Sequence, residues 1–338
     1  MIETPTKSGS SAGKISSSFE HPQDDSERDQ ESRSDQELDW ETVSRSIAPD
    51  QLSWKNVDWV TFVWMVAMHA GCLVAPFFFS WSALGVAVVL HWLTCSIGIC
   101  LTYHRYLAHR SFKLTKPAEF VGLMCGVISG EGTPLMWSAT HRMHHQLSDH
   151  EGDPHSPLNG KWWWSHMLWT FLHHIPKYEE TLYQRYVPEL YERPLMRFFE
   201  KTFGLWLTGF GFLLLALGGL IGGLNGAISM LLWGLCVRIT AAYHTTWLIN
   251  SATHLWGYRS YETRDESRNL WWVAILAYGE GWHNNHHAHP ALAPAGHKWW
   301  EIDTTWWSIK FLRFCGLAYD VKDRIPTNSL ETTETTVQ

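Results

Sequence analysis

Four stretches of this 338-residue chain are predominantly apolar: 60–79, 83–102, 205–223 and 228–249. A helix rises 1.5 Å per residue, so about 20 residues match the hydrocarbon thickness of a bilayer, about 30 Å. Each run is about that long, which predicts membrane helices. Ser80-Trp81-Ser82 joins the first pair and 224–227 the second, so each pair should run antiparallel. A fifth apolar stretch, 120–129, continues toward Trp137 but is interrupted by Glu131. It is too short to cross and is predicted as a buried or interfacial helix. Segment 299–317, with Trp and Phe beside Lys298, Lys310 and Arg313, predicts an amphipathic helix on the membrane surface. The predicted class is an all-α membrane protein: four transmembrane helices under a helical cap.

Mean hydropathy is only −0.17 because a polar tail dilutes the apolar runs. Residues 1–50 hold 12 acidic and 5 basic side chains, so the net charge of −7 belongs to them alone. This tail is poor in large apolar residues, which predicts disorder. It has no apolar core behind basic residues, as a secretory leader would. The expected organisation is a disordered 1–50, a membrane domain over 51–324 and a flexible tail over 325–338. Neither short link contains Lys or Arg, whereas 103–201 contains eleven and 250–338 eight. The positive-inside rule then puts the cap and both termini in the cytoplasm. Arg238 is the one charge within the spans and is expected to pair or to reach the interface. The 22 tryptophans, several adjacent, suit an interfacial belt. The six cysteines form no CxxC pair and read as small buried hydrophobes.

Nine of the 20 histidines fall in short boxes. The boxes are His104-x-x-x-x-His109, His141-x-x-His144-His145, Asn250-Ser-Ala-Thr-His254 and His283-x-x-His286-His287. Residues i, i+3 and i+4 share a helical face, so each HxxHH can converge on one point. Zinc sites take about four ligands; nine imidazoles suit two metals with four or five nitrogens each. His289 and His297 lie off this spacing. His155, His166, His173 and His174 are expected at the surface or behind the ligands. The boxes follow directly on the second and fourth apolar runs, which puts the metals where helices leave the bilayer and points to a lipid substrate. A nitrogen-rich site fits oxygen activation better than hydrolysis, which usually keeps a general-base carboxylate at the metal. Glu280 is expected to hold an imidazole from behind.

The order HxxxxH, HxxHH, NSxxH, HNxHH resembles the integral-membrane fatty acyl desaturases of the stearoyl-CoA/Δ9 type, with a cyanobacterial or plant flavour, over about residues 58–322. The resemblance implies two irons held by His104, His109, His141, His144, His145, His254, His283, His286 and His287, with Asn250 reaching a metal through water. It implies removal of two hydrogens from a saturated acyl chain with O2 and a separate electron donor, such as ferredoxin or a b-type cytochrome; no nucleic acid is involved. It makes Trp137 a substrate-holding residue. The basic residues that meet CoA in the animal branch lack counterparts apart from Lys55 and Lys161, so the acyl carrier, CoA or glycerolipid, stays open. Steps of four back from His104 reach Cys100, Ser96 and Trp92, which places Ser96 beside the methyl end and Trp92 at the tunnel floor. A membrane fatty acid hydroxylase, a membrane zinc hydrolase and a metal carrier are the competing functions. HxxxxH and NSxxH argue against the first, nine histidines against the second, and spans almost free of charge against the third.

Overall fold

The computed structural model describes residues 48–172 and 176–325. Most of the acidic tail, nearly all of the C-terminal tail, His173 and His174 lie outside them. Among the described residues three segments are long and apolar enough to cross a membrane: Trp59–Phe78, Trp81–Ala108 and Pro194–Ala252. The first is started by Asp58, whose carboxylate accepts from the N–H of Val60 (2.9 Å) and Thr61 (3.2 Å). The second is capped by the Ser80 hydroxyl, which accepts from Ala83 N at 3.2 Å.

The third segment differs from the two runs that the sequence predicts. It is helical on both sides of a break, where Gly222 (φ −143°) and Gly223 (φ 59°, ψ −149°) leave helical geometry. Gly218 and Gly226 then approach so closely that a Cβ on either would collide with the other's carbonyl. Eight residues of straight helix would hold them about 12 Å apart. The segment is therefore a hairpin of two arms, and Leu214 packs over Gly234 across it. Its turn falls just before the predicted 224–227 link, because Gly223 supplies a left-handed φ that side chains resist.

Helix Lys116–Val127 is the predicted short element, about 18 Å long. Gly98 of the second helix lets it pack backbone to backbone: a Cβ there would meet Gly126 N at 2.5 Å. Arg238 serves this contact. It is buried and donates to the carbonyls of Ile128 (2.7 Å) and Gly234 (3.0 Å). It thus satisfies a carbonyl that the end of the short helix leaves open, rather than pairing with an acid or reaching the interface.

Three histidines outside the boxes form a chain linking the first helix to the cap. His69 Nε2 lies 3.2 Å from His244 Nε2, His244 Nδ1 3.0 Å from His166 Nε2, and His166 Nδ1 3.0 Å from Ser251 Oγ. The ends meet the carbonyls of Met65 and Trp247. Four neutral groups bring one proton each to five links, so one link stays empty unless the chain holds an extra proton. His166 is thus buried, not at the surface.

The surface helix spans Thr304–Phe314, shorter than the predicted 299–317 because Asp303 caps it by accepting from Trp306 N at 2.8 Å. Trp307, Phe311 and Phe314 point outward while Thr305 and Ile309 are buried. The chain is not wholly α: Lys113–Leu114 pairs antiparallel with Ala318–Tyr319. All six cysteines are free.

Candidate metal centre

The second helix delivers His104 near its end. Helix Pro134–Leu147 carries His141, His144 and His145, and His254 follows helix Arg238–Ala252. The short helix His283–Ala288 carries the last three. The nine imidazoles form two groups. His104, His109, His141, His145 and His286 make one, and His144, His254, His283 and His287 the other; in each, the ligating nitrogens lie within 4.8 Å of one another.

Two features of this division escape simple periodicity. The i, i+4 pairs His141/His145 and His283/His287 stay together, while His144 and His286 cross to the opposite group. Each HxxHH box therefore straddles both centres instead of converging on one point. The HxxxxH spacing is explained by the second helix, which runs with i→i+5 hydrogen bonds over Trp92–Ala108. The turn closing it joins His109 N to His104 O at 3.0 Å. Five residues of ordinary α-helix would rotate the two rings about 140° apart; the wider turn brings them onto one side, with centroids 4.8 Å apart.

Carboxylates fix the ring orientations from behind. Asp149 Oδ2 lies 2.8 Å from His254 Nδ1 and Asp265 Oδ2 2.8 Å from His287 Nδ1. Asp153 Oδ1 lies 3.0 Å from His144 Nδ1, and Glu280 Oε2 2.9 Å from His104 Nδ1. In His254, His287 and His144, where Nδ1–H is directed at the carboxylate, Nε2 must carry a lone pair facing inward; the His104–Glu280 contact has the distance of an ion pair without hydrogen-bond alignment. The Nε2 atoms of His144 and His287 are buried without any hydrogen-bond partner. Elsewhere nitrogens face each other closely: His104–His286 at 3.0 Å, His109–His141 at 2.8 Å and His254–His283 at 3.1 Å. Such pairs can share a proton or turn both lone pairs on a cation, and the convergence of nine nitrogens in two groups, with two Nε2 atoms left unpartnered, fits bound metal.

Titration favours the same state. Burial, then the neighbouring imidazoles, hold His109, His141, His145, His283 and His286 well below the usual histidine range. These rings are neutral at pH 7 and ready to ligate. Burial pushes the Asp149 carboxyl up, but the His254 contact outweighs it and brings the group down to about 2. The imidazoles likewise hold Asp153 and Asp265 below the carboxylate range against the effect of burial. Asp149→Asn should keep the shape but weaken the hold on His254, lowering metal affinity by about 10–100-fold. Metal titration of the purified chain checks this; unchanged affinity would make Asp149 incidental.

Two cavities meet at the histidines, sharing Trp137, His141, Thr246 and Asn250. The narrower, about 40 Å³, continues past Cys100, Ile99 and Cys95 to Tyr278. The wider, about 400 Å³, runs past Glu131 toward Val60, Trp64, Phe203 and Gly204. Trp137 stacks on His141 with centroids 5.0 Å apart. Ser96 lies instead behind this lining, 3.4 Å from Thr305 Oγ1, and Trp92 is 42% exposed. The i→i+5 turns rotate the second helix away from the face that steps of four select.

Glu131 accepts from Thr246 Oγ1 at 3.0 Å, and burial raises its carboxyl from 4.5 to about 7. The folded state therefore holds this proton more tightly than the unfolded chain. Its contribution to stability is complete below pH 4.5 and declines as pH rises through about 7. Melting temperature should fall between pH 5 and 8 in wild type and less so in Glu131→Gln; equal slopes would refute this.

The sequence reading missed Asp149, Asp153 and Asp265 as imidazole holders, although Asp149 and Asp153 follow the second box closely. His155 is buried with its ring 4.3 Å from that of His144, behind the ligands. His289 and His297 stand apart, against Tyr261.

The fatty acid desaturase family profile matches residues 79–311. The chain is 43% identical over 282 residues to an sn-2 palmitoyl-lipid 9-desaturase from Nostoc sp. (strain 36), covering 83% of this chain and 96% of that one. It is 41% identical to Delta-9 acyl-lipid desaturase 1 from Arabidopsis thaliana (82% and 86% covered). It is 40% identical to an acyl-CoA 5-desaturase from Anemone leveillei (80% and 81% covered). With apolar helices leading into two imidazole clusters, and with these relatives over most of its length, the chain belongs to the fatty acid desaturase family and is an oxidoreductase that desaturates fatty acyl chains with O2.

Proposed function

We propose that the enzyme introduces a double bond at the Δ9 position of a saturated acyl chain esterified in a membrane glycerolipid, using two irons. The observation that carries this reading is the pair of imidazole clusters beneath a cavity that reaches the membrane helices. The names of the acyl-lipid relatives support position and carrier. The acyl-CoA relative keeps a CoA thioester as the second reading.

His104, His109, His141, His145 and His286 hold one iron; His144, His254, His283 and His287 hold the other. Asn250 reaches the site through water. Bound iron supplies the O2 chemistry that side chains lack. The protein's own task is positional: the four carboxylates lock the rings, Trp137 and Thr246 flank the acyl chain, and the apolar walls exclude water. For each double bond the substrate gives up two hydrogens, and O2 becomes two waters with two electrons and two protons from outside. The electrons come from a separate donor, ferredoxin or a b-type cytochrome. The first two membrane helices and the two arms of the hairpin make four crossings, with the cap and both termini in the cytoplasm. The purified full chain should carry two irons; one zinc, or no metal after gentle extraction, would overturn the assignment.

The methyl end should stop at Tyr278, which lines the narrow cavity and whose hydroxyl lies 2.7 Å from His91 Nδ1. Ser96 and Trp92 then act from behind the wall. Tyr278→Ala should lengthen the preferred chain by two or more carbons, while Trp92→Ala leaves it unchanged. The reverse pattern in product profiles would restore Trp92 as the floor.

A further inference from the structure

The wider cavity reaches the surface between two membrane helices. Its outer lining is Val60, Thr61 and Trp64 on one side and Phe203, Gly204 and Thr208 on the other. Val60 is 81% exposed, and Gly204 and Thr208 are exposed too, so the cavity emerges between these faces. The opening lies at the ends of both helices nearest the cap. Trp54 and Trp59 stack there at 5.7 Å, both exposed, beside Lys55. Such aromatic and basic residues mark the boundary between water and bilayer, and the opening lies just inside it.

We propose that this gap is a lateral portal, through which the ester-linked acyl chain of a glycerolipid slides from the bilayer to the metal centre while its headgroup stays at the interface. The inference rests on the glycerolipid reading above and adds the route. Three observations select this occupant. The cavity is continuous with the site, through Trp137, His141, Thr246 and Asn250. Among the described residues no Lys or Arg lines either cavity, so the passage itself holds no partner for the phosphates of CoA, and Lys55 stands only at its mouth. The walls at the opening are faces of two apolar helices, so a chain already dissolved in lipid reaches it without crossing water.

Gly204 offers a plug. A Cβ added there meets nothing within 4 Å, so a large side chain fits without disturbing the helix. Gly209, on the same helix, is equally unobstructed but lines neither cavity, and serves as control. The full chain, Gly204→Trp and Gly209→Trp are expressed in a host that lacks its own Δ9 desaturase and supplies electrons. Iron per purified chain and new double bonds in the glycerolipid and acyl-CoA pools are measured. Gly204→Trp should lower glycerolipid desaturation at least tenfold at unchanged iron content, with Gly209→Trp within twofold of wild type. If Gly204→Trp works as well as wild type, or both variants fail alike with iron intact, the portal is refuted. If wild type desaturates only the acyl-CoA pool, the carrier reading falls instead, whatever the plug does.

Discussion

His286→Ala should abolish turnover while the chain still folds. Nε2 of His286 lies 3.0 Å from that of His104 and 2.9 Å from that of His145, at the centre of the five-nitrogen group. Alanine leaves four imidazoles spaced around a gap that none can close, because His104 is held from behind by Glu280 and His141 and His145 ride on one rigid helix. The loss should exceed about 100-fold, the upper end for changes behind a ligand, and one of two irons should be missing. His297→Ala is the contrast: its Nδ1 bonds the Tyr261 hydroxyl at 3.0 Å and it belongs to neither group. Most activity should survive there. Near-normal turnover in His286→Ala would remove it from the ligand set; total loss in His297→Ala, with normal expression, would mean that the set is drawn too narrowly.

Arg105→Met should cost the fold itself. The buried guanidinium grips Asp303 with both Nη atoms (2.9 and 3.0 Å), donates from Nε to Glu280 Oε1 at 3.0 Å and from Nη1 to Ala293 O at 2.7 Å. Glu280 in turn holds His104, and Asp303 caps the surface helix. One residue thus ties the second membrane helix, the last histidine box and the C-terminal segment together. Methionine fills the space but strands two buried carboxylates, a loss of about 3–5 kcal/mol, against a total stability of about 5–15 kcal/mol for a typical domain. Low yield, a melting temperature well below wild type and depleted metal are expected. Arg105→Lys keeps the charge but not the fork and should fall between. A methionine variant that melts like wild type would show that the network carries little of the stability.

The parts legible in the sequence were those set by composition and short spacing. The apolar runs give the long helices, and the nine box histidines are the two clusters. What stayed hidden depends on backbone geometry. An α-helical period puts His141, His144 and His145 on one face, yet His144 serves the other group, because two clusters flank the helix instead of one point facing it. The same period fails along Trp92–Ala108, where i→i+5 bonding makes HxxxxH work and turns Ser96 and Trp92 off the cavity wall. Asp265 stands 22 residues from His287, and Asp149 stands 105 residues from His254. No local pattern announces such partners. The Gly222–Gly223 break was mislaid by two residues for want of a signal beyond glycine itself.

The central claim is that this histidine-held site desaturates a lipid-bound acyl chain. It is tested most directly by expression in a host devoid of unsaturated fatty acids, with double-bond position determined separately in each lipid class. The account predicts oxygen-dependent Δ9 double bonds appearing first in glycerolipid esters, and none with His286→Ala. A hydroxylated acyl product, or no unsaturation with iron-loaded protein in the membrane, would contradict it.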